Sequence, residues 1–136
     1  MGIFAVTDAR VEINSVNLTD HLTDVDVDDQ FAELLTTNMA SGGNTERIAG
    51  LRDGKITLMF QQDFASAKVY ATISPLLGTL TTIKVRPHST SISATNPSFE
   101  ASYLILNWKP VAGKVGELDV MQVTWPRSGG LSIVTS

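Results

Sequence analysis

Alternation of apolar and polar side chains from Lys55 to Gln61, broken only at Met59 and followed closely by an apolar repeat of four, constrains this chain more than any other stretch. Ile56, Leu58 and Phe60 fall on one face and Lys55, Thr57 and Gln61 on the other. A period of two is what a strand needs when one side of its sheet is buried and the other wet. Beyond it, Ala65, Val69, Ile73 and Leu77 recur every fourth residue and predict one helical stripe. Asp63 is suited to be the N-cap, its carboxylate accepting from free amides of the first turn. Pro75 lacks an amide donor and disfavours helix at Ser74, so the helix is expected over about 63–74. Gly78 then releases the chain into the next strand. A helix of about eleven residues does not stand alone in water, so it must lie on a sheet. The candidate core is therefore Ile56, Leu58, Phe60, Val69, Ile73 and Leu77, joined by Met121, Val123 and Trp125 from a later alternating run.

A chain of 136 residues is expected to be a single domain, 1–136, with enough length to bury a core. The absence of cysteine removes disulfides and thiolate chemistry and fits folding in a reducing compartment. The start, MGIFAVTDAR, has no basic region and only a short apolar run, so it reads neither as a signal peptide nor as a membrane span. The net charge of −4 comes with no basic patch, which argues against a tight nucleic-acid binder. Charged residues make up 18%, below the usual quarter. That low share points to a surface meant to be covered by other subunits, although serine and threonine supply much of the missing polarity.

Taken in order, 1–9 carries Ile3, Phe4 and Val6 and reads either as a first strand or as an N-terminal arm docking on a neighbour. Arg10–Leu18 alternates around Asn14-Ser15, a natural tight turn. In Thr23–Asp29, Asp24, Asp26 and Asp28 share one strand face, with Val25 and Val27 on the other. The spacing imitates the start of a calcium-binding EF-hand loop but fails at its sixth and twelfth positions, Asp29 and Leu35. A solvated acidic face is the better reading. Phe31–Leu35 either continues the sheet or turns helical. Thr36–Gly50 is expected to be a long exposed loop, and its Gly42-Gly43 is no phosphate cradle because no Gly-Lys-Ser or Gly-Lys-Thr follows. Thr79–Arg86 is a strand with Leu80, Ile83 and Val85 as core candidates. His88–Asn96 is a loop, and Phe99–Trp108 and Leu118–Trp125 are strands. Arg127–Gly130 is a turn, and 131–136 a last short strand or C-terminal arm. The sum is mainly β: a β-sandwich or partly open barrel with one flanking α-helix (about 63–74) and a long loop (about 36–50).

Residues that would carry chemistry are sparse. His21 and His88 stand beside turns without a second histidine or a cysteine, and no serine sits in a Gly-x-Ser-x-Gly elbow. Trp108 and Trp125 each end an apolar strand, where a core or rim anchor is a better reading than a stacking platform for a sugar or base. No enzyme, metal or cofactor is indicated.

The order of features is more specific than any one of them. The run GLRDGKITLMFQQDF, the helix to SPLLGT, then TIKVRP, SATNPSFEASYLI, WKPVAGKVGEL and VTWPRSGG, together with the acidic Val-Asp strand upstream, resembles the major tail tube protein of long, non-contractile-tailed bacteriophages. The resemblance covers roughly Gly50–Gly130 and rests on diffuse structural motifs. It implies a subunit of hexameric rings whose strands join into a continuous inner barrel. Such rings stack through a long loop and terminal arms into a tube around a tape measure protein, and DNA passes through its lumen without specific binding. On this chain the resemblance puts the stacking loop at Asn38, Met39, Ser41, Gly42, Gly43, Asn44, Glu46 and Arg47. It puts the arms at 1–9 and 131–136, and it makes Asp24, Asp26 and Asp28 the candidates to face the lumen. The implied partners are further copies of the chain, the tape measure protein, a tail terminator and distal tail or baseplate proteins. The implied location is the virion tail, after synthesis in the host cytoplasm, with no membrane involved. Two other readings stand beside it, a tail terminator or connector that forms a single ring and a ligand-binding β-sandwich.

Overall fold

The computed structural model describes residues 5–66 and 68–136. Seven strands, β1 (Arg10–Ile13), β2 (Val16–Asn17), β3 (Leu22–Leu35), β4 (Arg47–Gln61), β5 (Leu80–Arg86), β6 (Ser98–Leu104) and β7 (Val120–Val134), form one open sheet in the order β2-β1-β5-β6-β7-β4-β3. Every pairing is antiparallel. Residues 1–4, the outer part of the expected N-terminal arm, lie outside the described residues.

The fold turns on β7. Its first half pairs with β4, from Gln61↔Val120 to Lys55↔Pro126, and its second half pairs with β6, from Tyr103↔Arg127 to Ser98↔Val134. The change of partner falls at Pro126, which has no amide donor to offer a ladder. One continuous sheet thus brings two half-sheets onto one core: Val11, Ile83 and Tyr103 from one half are buried in the same cluster as Ile56, Phe60 and Trp125 from the other. The expected turn at Arg127–Gly130 is instead the middle of this strand, with Gly129 at φ 91 absorbing the bend. Within 131–136, expected as a last short strand or C-terminal arm, Leu131–Val134 continue it along β6. By contrast the strand expected over Phe99–Trp108 stops at Leu104.

The helix is shorter than its stripe predicts. Helix α1 is Val69–Ile73, extended by a 3-10 turn at Ser74–Leu76. Asp63 closes a preceding turn rather than capping the helix: its carboxylate accepts from the Ala65 amide at 2.9 Å and its carbonyl from the Tyr70 amide at 3.0 Å. Val69 and Ile73 are buried, but Leu77 is 42% exposed. The 3-10 turn advances 120° per residue instead of 100°, and Leu77 then leaves with extended ψ, so the four-residue repeat no longer tracks one face. Leu80 is likewise exposed, because Thr81, Ile83 and Val85 take the inner face of β5 and the period of two sends Leu80 outward. Ile56, Leu58, Phe60, Met121, Val123 and Trp125 are all buried. At Asn14-Ser15 both residues have positive φ, as a two-residue hairpin turn requires.

Candidate functional site

Strands β3 and β4 pair along nearly their whole length, from Leu22↔Phe60 to Leu35↔Arg47. Because β7 leaves β4 at Lys55, the stretches 29–35 and 47–54 have no third strand beside them among the described residues and project as a two-stranded ribbon. Arg47–Gly50, expected as loop, are the first residues of β4, so the connection shrinks to 36–46. Phe31, Leu34, Leu35, Ile48 and Leu51 all stand exposed on this ribbon. A free two-stranded ribbon is marginal in water, and exposed apolar side chains on one are a liability in a monomer.

The tip is a built structure. Thr36 donates its amide to the Glu46 carbonyl at 2.9 Å, and the Glu46 amide donates to the Thr37 hydroxyl at 2.8 Å. Within this frame a 3-10 turn at Met39–Ser41 is closed by Asn38, whose side chain accepts from the Ala40 amide at 2.8 Å and whose amide donates to Ser41 Oγ at 3.0 Å. Gly42 and Gly43 follow with φ 64 and 84, and the Asn44 amide returns to the Ser41 carbonyl at 3.1 Å. Ser41 is buried and Met39 is fully exposed. Of the expected stacking residues, 38–46 therefore form the tip, while Arg47 sits in β4 opposite Leu35 and pairs with Glu33 at 3.0 Å.

Asp24, Asp26 and Asp28 share the face of β3 that points away from the core, in register with Met59, Thr57 and Lys55 of β4. On β7 the same rows continue as Gln122, Thr124 and Pro126, and Thr57 and Thr124 meet hydroxyl to hydroxyl at 3.1 Å. The opposite face of these three strands carries Val25, Val27, Ile56, Leu58, Val123 and Trp125. The outer wall is thus polar, with its acids concentrated along the edge strand.

At the base of the ribbon the apolar inner face ends in charge. The Arg127 side chain, 1% exposed, places Nη1 3.0 Å from Asp29 Oδ1. That ion pair is close but not aligned as a hydrogen bond, and neither Nη nitrogen has a hydrogen-bond partner among the described residues, whereas Nε donates to the Gly129 carbonyl at 3.1 Å. Arg52 donates to both Asp29 oxygens and lies 5.6 Å over the Phe31 ring. The hydrogen bonds from Arg52 first, and then the contact with Arg127, hold the Asp29 carboxyl down at about 2. Gly54, opposite Asp29, leaves the space that Arg127 crosses.

At the other end of the subunit His21, 14% exposed, bridges Asp20 (Nδ1, 2.8 Å) and Asp63 (Nε2, 2.7 Å), and Lys68 reaches Asp20 at 3.3 Å. Burial pulls the His21 pKa down, but the two carboxylates outweigh it and hold the imidazole above its ordinary value. The clasp joins the start of β3 to the segment leading into α1. Beside it Phe64 packs at a tilt on Tyr70 and Tyr70 stacks on Trp108, with centroids 5.1 and 5.8 Å apart. Trp125 is the core anchor instead, its Nε1 donating to the Asn107 carbonyl at 2.9 Å. His88 accepts a different task, tying Asp8 of the N-terminal segment to the β5–β6 loop at 3.0 Å. Neither the Asp29 cluster nor the His21 clasp is visible in the sequence, because their members are far apart in the chain.

No family model matches the chain, and no curated protein matches it. Among solved structures, a chain of the virion of a native gene transfer agent particle superposes with a TM-score of 0.77 at 14% identity, covering 97% of this chain and 99% of that one. The fold is of the phage-tail tube type. A chain from the tail of an empty gene transfer agent particle, refined with C6 helical symmetry, matches with a TM-score of 0.66 at 15% identity over 84% of this chain and 82% of its own. A third is from the sheath-tube complex of an extracellular contractile injection system in its extended state, with a TM-score of 0.70, 10% identity and coverage of 98% and 93%. One of the three belongs to a contractile system, so the fold by itself is no mark of non-contractile tails. At these identities the likeness is one of fold.

Proposed function

We propose that this chain is the structural subunit of a phage tail tube, of the long non-contractile kind that its sequence resembles. Six copies close into a ring, and rings stack into a hollow conduit for DNA around a tape measure protein. A tail terminator and distal tail or baseplate proteins hold its ends. The whole of 1–136 serves as one tube domain located in the virion tail.

The observation that supports this most is the ribbon: a two-stranded projection about 25 Å long at the usual strand rise, apolar on its surface and without a partner, on a fold of the tail-tube type. Among the described residues, the outer edge of β3 and the side of β7 beyond Pro126 that β4 has left also carry no paired strand. Strand addition at such edges closes a ring, which turns a hazard of monomers into a means of assembly. Ring number six draws support from the C6 symmetry of the gene transfer agent tail. In this reading the tip at 38–46, with Arg47 beside it in β4, meets the next ring, and the N-terminal arm at 1–9 and the chain end at 131–136, whose first residues finish β7, add subunit contacts. Asp24, Asp26 and Asp28 face the lumen, where like charge keeps DNA phosphates from adhering.

Negative-stain electron microscopy of the purified chain tests the proposal. Long hollow tubes are expected. Isolated rings would make it a terminator or connector, and a stable monomer that binds glycans would make it a ligand-binding sandwich.

A further inference from the structure

The exposed apolar side chains are not scattered. Of the sixteen large ones among the described residues, six lie on the ribbon and its tip and eight at the opposite end, around α1 and the 105–119 linker. β4 runs from one group to the other, about 45 Å at the usual strand rise.

The second group is built around the stack of Phe64, Tyr70 and Trp108, to which three separate segments contribute: the β4–α1 connection, α1 and the β6–β7 linker. The linker is held in place from both sides. Gln62 Nε2 donates to the Pro110 carbonyl at 3.0 Å, the Ala112 amide donates to Asp119 Oδ1 at 2.8 Å, and Trp125 fixes Asn107. The aromatic surface is therefore formed before any partner arrives, with Leu106 exposed beside it.

We propose that this surface is the socket for the ribbon tip of a second copy of the chain, with Met39 entering against Tyr70 and Trp108. The inference rests on the tube reading and names the receiving residues within it. Two observations select a second copy as the occupant. Both apolar surfaces belong to one chain and lie at opposite ends of it, so only a head-to-tail contact covers both on every copy and repeats without closing. Met39 is presented whole on a rigid turn, and a thioether packs well on aromatic rings.

The chain has no cysteine, which makes cross-linking clean. Met39→Cys and Tyr70→Cys combined in one chain, assembled and then oxidised, should give a reducible ladder of multimers. An equal mixture of the two single variants should give reducible dimers. Tubes of the double variant without a ladder, with the same result for Leu51→Cys combined with Tyr70→Cys, would overturn the inference and leave the tube reading standing. No tubes from the unmodified chain would overturn both. As a second measurement, Leu106→Asp should keep the unmodified thermal midpoint while raising the concentration needed for tube formation more than tenfold; an unchanged threshold would count against the socket.

Discussion

Gly54→Ala places a methyl group where β3, β4 and the Arg127 side chain already touch. A Cβ built there runs into the Asp28 carbonyl oxygen and lies 2.9 Å from Arg127 Nη1. The first of these is backbone, so β3 itself must retreat to admit the methyl group. It is poorly placed to do so, because Asp29 pairs with Gly54 in the ladder and is gripped by Arg52 and Arg127. Overpacking costs about 1–3 kcal/mol, and a backbone neighbour puts this case in the upper part of that range. At roughly 4 °C per kcal/mol for a chain of this size, the melting temperature should fall by about 8–12 °C. The control is Gly130→Ala, where nothing lies within 4 Å of the new methyl group and the effect should stay within about 0.5 kcal/mol. Urea unfolding below the assembly threshold, followed by the fluorescence of buried Trp125, measures both. If the two variants unfold within about 0.5 kcal/mol of each other, the reasoning about the ribbon base is wrong.

Ile73→Ala should cost about 2–5 kcal/mol by calorimetry, and Ile73→Asp should leave no folded protein, because the side chain is 1% exposed. Substitutions at Gly42 or Gly43, where no neighbour lies within 4 Å but φ is positive, should cost about 1 kcal/mol of fold and show mainly as impaired tube formation in light scattering. The lowered pKa of Asp29 gives stability that is fully present above pH 3.8 and is lost as the pH falls toward about 2; in urea titrations across that window Asp29→Asn should flatten the fall. His21 has the opposite sign. Its raised pKa gives stability that is fully present below 6.5 and is lost as the pH climbs through the folded value above it, so His21→Gln should remove a decline in midpoint on the alkaline side of 6.5.

Where burial is one-sided, the sequence is readable. Lys55–Gln61, Met121–Trp125 and the Asn14-Ser15 turn follow directly from periodicity and turn chemistry. The ribbon was legible only in part, for the same reason in reverse: Phe31–Leu35 reads as sheet or helix, and Arg47–Gly50 reads as loop because those residues bury no face and show no alternation. Pro126 to Gly130 has turn composition, yet the ladder with β6 draws it into a strand, an instance of long-range pairing overriding local preference. Helix length was overestimated because a repeat of four continues through Ser74–Leu76 without the geometry that would give it meaning. Among the functional surfaces, the acidic face was legible as a pattern of alternate aspartates. The socket was not, since Phe64, Tyr70 and Trp108 meet only through tertiary packing.

The central claim is that this chain polymerises into a tube with its acidic strand face turned inward. A helical reconstruction by cryo-electron microscopy of the polymer formed by the purified chain tests it most directly. The account predicts an open lumen lined by the β7–β4–β3 outer wall, with Asp24, Asp26 and Asp28 projecting into it. Those aspartates on the exterior or buried between subunits, or a filament without a lumen, would contradict it.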